Sequence, residues 1–265
     1  MNGGAWRPLT ILRFIRSIPT STNVVRVDTD AGEGFLKAMG NPEGPHVLAC
    51  ELVGTLLADW LGLPTLEHAI VRVTAEDEIP LARGGAAAPG PAFITKAESG
   101  FPWGGDEETL RRLLRPQDIS RLVVLDTWIR NCDRYRPEPN LRVNRDNVFL
   151  VWETRTERGL LLKAMDQTHS FTCGRELTHR ISQLDDIRDA TIFGCFPEFV
   201  SFLDREHVRT ATARLGQMDE AQASQFVARV PAEWQVDLPA REAWGRFIAQ
   251  RAAFVAANMT AWLWP

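Results

Sequence analysis

Residues 122–171 constrain this chain more than any other stretch: LVVLDTWIRNCDRYRPEPNLRVNRDNVFLVWETRTERGLLLKAMDQTHSF. An apolar helical segment ends in Asn131-Cys132-Asp133-Arg134, and a polar, proline-interrupted loop follows. Two short apolar runs come next, Val148-Phe149-Leu150-Val151-Trp152 and Leu160-Leu161-Leu162. The second leads through Lys163-Ala164-Met165 into Asp166. The order is helix, acidic loop, strand, turn, strand, acid. One aspartate leaves a helix end and another emerges from a buried strand, so both have chemistry to explain. An acid is unfavourable at the negative end of a helix dipole. A carboxylate beside an apolar run is unfavourable unless it is paired or binds a metal.

The rest of the composition narrows the possibilities. The 265 residues are 45% apolar and 24% charged, enough for one large domain or two intimate ones. A net charge of -4 gives no general attraction to nucleic acid or an anionic membrane. The opening MNGGAWRPLTILRFIRSIP lacks the pattern of a secretory signal, and no run reaches the length of a membrane span. Cys50, Cys132, Cys173 and Cys195 are scattered without C-x-x-C spacing, so neither a disulfide framework nor a zinc site is expected. A cytoplasmic location is the expectation.

Upstream, strands are expected at 9–18, 24–28 and 35–39, with small polar residues turning the chain at 19–23. Alternation in the third strand puts Phe35, Lys37 and Met39 on one face. Lys37 is then either a snorkelling surface lysine or one aimed into a cleft. Residues 46–61 carry apolar side chains at helical spacing, and Gly62-Leu63-Pro64 ends that helix. Glu51 lies beside its apolar stripe, as a solvated carboxylate or as an ion-pair partner for Lys37. Further strands are expected at 69–74 and 92–96, a glycine-rich loop at 82–91 and a hinge at 97–105. Helices follow at 107–114, 116–131, 177–184, 197–203, 205–215, 220–227 and 239–258. The fold class is α+β: a strand-rich first part, 1–96, and a mostly helical second part, 97–265, with one hairpin set among its helices.

Phosphoryl transfer needs aligned oxygens, and positive charge where negative charge develops. Asp133 suits the base that accepts a hydroxyl proton, Asp166 suits a metal ligand, and Lys37 with Glu51 suits a phosphate-holding pair. Asn147, directly before the strand 148–152, suits an amide ligand for the metal, with Asn140 in reserve. His169 has no assigned role.

This set resembles the HipA-like kinases, distant members of the protein-kinase fold. The matching residues are Phe35-Leu36-Lys37, the segment 41–64, Asp126 through Arg134, Asp146-Asn147-Val148-Phe149-Leu150 and Met165 through Phe171. Val230-Pro231-Ala232-Glu233-Trp234 and the final helix match the family's C-terminal end. The resemblance implies a two-lobed fold with ATP and Mg²⁺ in a cleft between the lobes. It implies that Lys37 holds the phosphates, Glu51 fixes Lys37, Asp133 is the catalytic base, and Asn147 and Asp166 ligate magnesium. The acceptor is a hydroxyl on a protein or small molecule.

Three departures stand out. Asn147 lies fourteen residues beyond Asp133, where the compact kinase pattern spaces about five. No glycine-rich phosphate loop is present, and Ser21 and Thr22 are the candidate phosphate donors in its place. The extra N-terminal subdomain of HipA toxins has no counterpart here, so a toxin role does not carry over. Other readings are a nucleotide-binding pseudokinase, a nucleotidyl transferase on the same residues, and a helical interaction domain. In the last of these, the tail Ala261-Trp262-Leu263-Trp264-Pro265 either docks a partner or packs on its own domain.

Overall fold

Alternating strands near the N-terminus build one antiparallel sheet in the computed structural model, which describes residues 6–153 and 159–265. Strand β1 spans Ile11–Ser17, β2 Val25–Thr29, β3 Gly32–Lys37, β4 His68–Val73 and β5 Gly90–Lys96, in the spatial order β1-β2-β3-β5-β4. Val25, Val27, Leu36, Val71, Val73 and Ile94 form an apolar layer on one side. The pleat turns Lys37 the other way. Its cross-strand neighbour Phe93 and the nearby Met39 both pack on a second, larger core.

Helix α1, His46–Leu61, joins that larger core with thirteen of its sixteen residues buried. A helix buried all round must be sandwiched, and α1 meets β5 as well as the later helices α3 (Gln117–Ile129), α5 (Arg205–Leu215) and α6 (Glu220–Val227). It ends at Gly62, left-handed at φ 82, whose N–H bonds the carbonyls of Ala58 and Asp59.

The second part is helical around a small sheet. Strands β6 (Gly100–Pro102), β9 (Val148–Trp152) and β10 (Leu160–Ala164) run in the order β10-β9-β6, while β7 (Tyr135–Arg136) and β8 (Arg142–Val143) form a separate hairpin. The short helices α2 (Glu107–Leu110) and α4 (Leu184–Ile187) and the long α7 (Leu238–Leu263) complete the set. The turn expected between β9 and β10 falls on 154–158, outside the described residues.

Several local expectations change, among them the helix at 107–114, which stops at Leu110 after one turn. The segment 97–105 contains a strand, because Phe101 packs at a tilt on Trp152, 5.6 Å between ring centroids, and Gly100 pairs with Val151. Instead of one helix at 177–184 there is a 3-10 turn, His179–Ser182, then the single turn of α4. Arg251 from α7 takes the carbonyls of Asp186, Ile187 and Asp189, the free carbonyl end at which α4 stops. Residues Pro197–Phe202 likewise form a 3-10 turn. The terminal tryptophans pack on the protein: Trp262 lies 5.4 Å from Phe254, and Trp262 and Trp264 both rest on the larger core. No helix among the described residues is long and apolar enough to cross a membrane.

Candidate active site

The site forms where the end of β3, the middle of α1 and the segment after β10 meet. Lys37 Nζ donates to Glu51 Oε2 at 2.9 Å and to Asp166 Oδ1 at 3.0 Å. Glu51 Oε2 also accepts from the Gln167 backbone N–H at 2.9 Å. This closeness depends on Gly54, one helical turn along α1, where a Cβ would stand 2.5 Å from Gln167 Cβ. Burial alone would lower the Lys37 pKa, but the two carboxylates raise it above the ordinary lysine value. Burial pushes Asp166 up, yet Lys37, the Thr168 hydroxyl at 2.6 Å and His169 bring it down to about 2. Glu51 shares its cation with Asp166, so burial prevails and pushes it upward. A cavity of 280 Å³, lined by Glu43, His46, Cys50, Thr168 and Arg175 among others, adjoins this group.

Asp133 stands at the end of α3. That helix stops at Arg130, left-handed at φ 54, and Asn131 N–H turns back to Asp126 O at 2.9 Å. Both oxygens of Asp133 are engaged. Oδ2 accepts from Asn147 Nδ2 at 2.9 Å and Asn144 Nδ2 at 3.3 Å, and Oδ1 lies 2.9 Å from Arg142 Nε. His169 Nδ1 is 3.6 Å from Oδ1, an ion-pair distance rather than a hydrogen bond, while its Nε2 lies 2.7 Å from Glu43 Oε2. Burial pushes Asp133 up, but His169 and Arg142 outweigh it and hold the carboxyl below the usual range. In return Asp133, and Glu43 after it, push the imidazole up to about 9 against its burial.

Beneath the loop, Arg134 is fully buried against Asp126, Nε to Oδ2 at 2.7 Å, and donates to Met165 O at 2.9 Å. Asn131 Nδ2 reaches Gln167 Oε1 at 3.0 Å. The Asp133 loop and the Asp166 segment are thus tied together by side chains two residues before and one after Asp133. Fully buried Arg251 Nε and Nη2 donate to Trp128 O at 2.9 Å and Thr127 O at 2.7 Å, satisfying the end of α3.

The structure brings Lys37, Glu51 and Asp166 into one cluster, and Asp133 and Asn147 into contact beside it. Asn140 is exposed on the loop between β7 and β8, away from Asp133's hydrogen bonds. Ser21 and Thr22 form no hydrogen bond to the cluster among the described residues. Their turn leads into β2, whose Val25 pairs with Leu36, the residue before Lys37. Sequence reasoning missed Glu43, Arg142, Asn144 and the partners of His169. Thr168 and His169 lie within three residues of Asp166, a proximity that could have flagged them; Glu43 carries no local signal.

As for a metal, no three His, Cys, Asp or Glu side chains gather as a site among the described residues. Asp166 offers an ionised carboxylate oxygen and Asn147 an amide oxygen, both hard donors. That set fits magnesium, which keeps waters and substrate phosphates as its remaining ligands.

The family model described as HipA-like kinase matches residues 28–257 of the chain. No curated protein matches it by sequence. Among solved structures, the crystal structure of a Helicobacter pylori proinflammatory kinase, CtkA, is similar, with a TM-score of 0.59 and 11% identity over 97% of this chain and 98% of that one. At that identity the likeness speaks to the mixed helix-and-strand fold alone.

Proposed function

This chain belongs to the HipA-like kinase family, and from that membership we propose that it is an ATP- and Mg²⁺-dependent phosphotransferase that moves the γ-phosphoryl group to a hydroxyl of a protein or small molecule. In this reading 1–96 is a nucleotide-binding lobe, 97–265 is a catalytic lobe, and ATP lies between them. The observation that carries it is Lys37 bridging Glu51 and Asp166, groups from the first and second parts of the chain.

Lys37 serves as the cation for the ATP phosphates, kept charged and aimed by Glu51. The turn with Ser21 and Thr22 offers backbone N–H and hydroxyl groups to the same phosphates. Asp133 receives the proton of the acceptor hydroxyl as its oxygen bonds the γ-phosphorus and ADP departs. Asn147 orients Asp133 through its amide N–H, leaving its oxygen for a metal. Asp166 and Asn147 are the residues that would hold Mg²⁺, which when bound offsets the negative charge of the phosphates. His169, charged at neutral pH, holds Asp133 ionised and in place.

The test is release of labelled phosphoryl from γ-labelled ATP with magnesium, for the wild type and for Asp133→Asn and Asp166→Asn. Each substitution should lower turnover by about 10²–10⁴-fold while the protein stays folded by circular dichroism. Near-wild-type turnover in either variant refutes the role given to that residue. One observation favours a nucleotide-binding pseudokinase instead: Arg142 and Asn147 already occupy the Asp133 carboxylate. Stabilisation by ATP with no consumption of it would select that second reading.

A further inference from the structure

Two thiols meet beside the candidate base. Cys132 directly precedes Asp133 and is buried, whereas Cys173 is half-buried and within reach of solvent. Each donates to a carbonyl of the other's segment: Cys132 Sγ to His169 O at 3.7 Å and Cys173 Sγ to Arg130 O at 3.6 Å. Between them Phe171 N–H donates to Ile129 O at 2.5 Å, and Arg130 Nη1 donates to Phe171 O at 3.3 Å. Residues 129–132 and 169–173 therefore run side by side, stitched at both ends. We propose that Cys132 and Cys173 form a dithiol site of oxidative modification, which a hydroperoxide converts into a disulfide joining the Asp133 loop to the segment after Asp166.

The two thiols have different chemistry. Contact with Cys132 and the guanidinium groups of Arg130, Arg136 and Arg175 bring Cys173 down to about 7, although burial opposes this. It is the attacking thiolate. Cys132 is pushed up, by contact with Cys173 first and then by burial, and acts as the resolving thiol. Burial pushes Cys50 up to about 12 and Cys195 up to about 11, so neither competes.

The Cys173 thiolate bonds one peroxide oxygen and the O–O bond breaks. This leaves a sulfenic acid and, with a proton from solvent, one water or alcohol. Cys132 sulfur then bonds Cys173 sulfur, the S–O bond breaks, and the oxygen leaves as water with the Cys132 proton. Two thiols lose two electrons and one hydroperoxide gains them. A small dithiol such as dithiothreitol reverses the change by exchange.

The effect on activity rests on the phosphotransferase reading. A bond between the sulfurs pulls Cys132 away from His169 O and shifts its neighbour Asp133. Misplacement by about 1 Å at a reacting group lowers turnover by roughly 100-fold.

The full chain is treated with hydrogen peroxide, alkylated and read by peptide mass spectrometry. The expected result is a cross-linked pair containing residues 132 and 173, released by dithiothreitol, with Cys50 and Cys195 still alkylated. Cys132→Ser should trap Cys173 as a dimedone-reactive sulfenic acid, and Cys173→Ser should abolish the cross-link. Equal oxidation of all four cysteines, or full alkylation of Cys132 and Cys173 after treatment, overturns the proposal. ATP turnover is followed in parallel and should fall on oxidation in the wild type but not in C132S/C173S. A cross-link formed with turnover unchanged overturns only its coupling to catalysis. No turnover in the reduced wild type counts against the phosphotransferase reading and leaves the mass result to decide the dithiol.

Discussion

Replacing Gly54 by alanine measures how closely α1 must lie against the Asp166 segment. The added Cβ would stand 2.5 Å from Gln167 Cβ and 2.9 Å from Gln167 Cγ. Ordinary carbon contacts are about 4 Å, so helix and segment must part by roughly 1.5 Å. Gln167 cannot turn aside, since its Cβ is fixed to the backbone and its side chain is fully buried and held by Asn131. The strain falls on two 2.9 Å bonds, Gln167 N–H to Glu51 and Lys37 to Glu51. Stretching either by about 1 Å takes it out of hydrogen-bond range. Overpacking of this kind costs about 1–3 kcal/mol, which in a protein of this size lowers Tm by roughly 2–10 °C. Turnover should fall further, by about 100-fold. The control is Gly62→Ala, where φ is +82 and a Cβ meets nothing within 4 Å. That change carries backbone strain of about 1 kcal/mol and leaves the site alone. Thermal melts and ATP turnover on both variants decide the matter. If Gly54→Ala loses no more turnover than Gly62→Ala, the approach of α1 does not set the geometry.

The other predictions concern charge. The His169 pKa is raised from 6.5 to about 9, so its stabilising contribution is fully present below about pH 6.5 and disappears as pH rises through 9. Melts across pH 6–10 should show that loss in the wild type, and His169→Gln should flatten it; an unchanged slope rules the linkage out. Arg142→Gln removes a cation from Asp133, so its carboxyl rises and the acid limb of turnover moves to higher pH. The Arg142 side chain is 57% exposed, so stability should change by less than about 1 kcal/mol. An unmoved acid limb separates Asp133 from that limb. Asp126→Asn strands the buried Arg134 charge and should cost about 3–5 kcal/mol in urea denaturation. A cost below about 1 kcal/mol shows that the pair does not hold the loop.

By itself the sequence determined what repeats along the backbone. The 2-residue alternation of β3 put Lys37 opposite Leu36, and the helical spacing of residues 46–61 carried Glu51 into the interior of α1. Apolar runs located β9, β10 and the aspartate that follows, and the bounds of α5 and α6 were legible because caps and periodicity agree there. Tertiary structure alone decided who meets whom. The β7–β8 hairpin leaves Asn140 on the surface and sets Arg142 on Asp133, and nothing in the residues 135–146 states that outcome. Glu43 reaches His169 across 126 positions, and Gly100 becomes strand only because β9 lies beside it. The physical reason is range: periodicity is set by each residue's own backbone, whereas these contacts exist only once distant segments pack. For the same reason the lysine at the end of β3 could be read as surface or cleft until α1 and Asp166 closed around it.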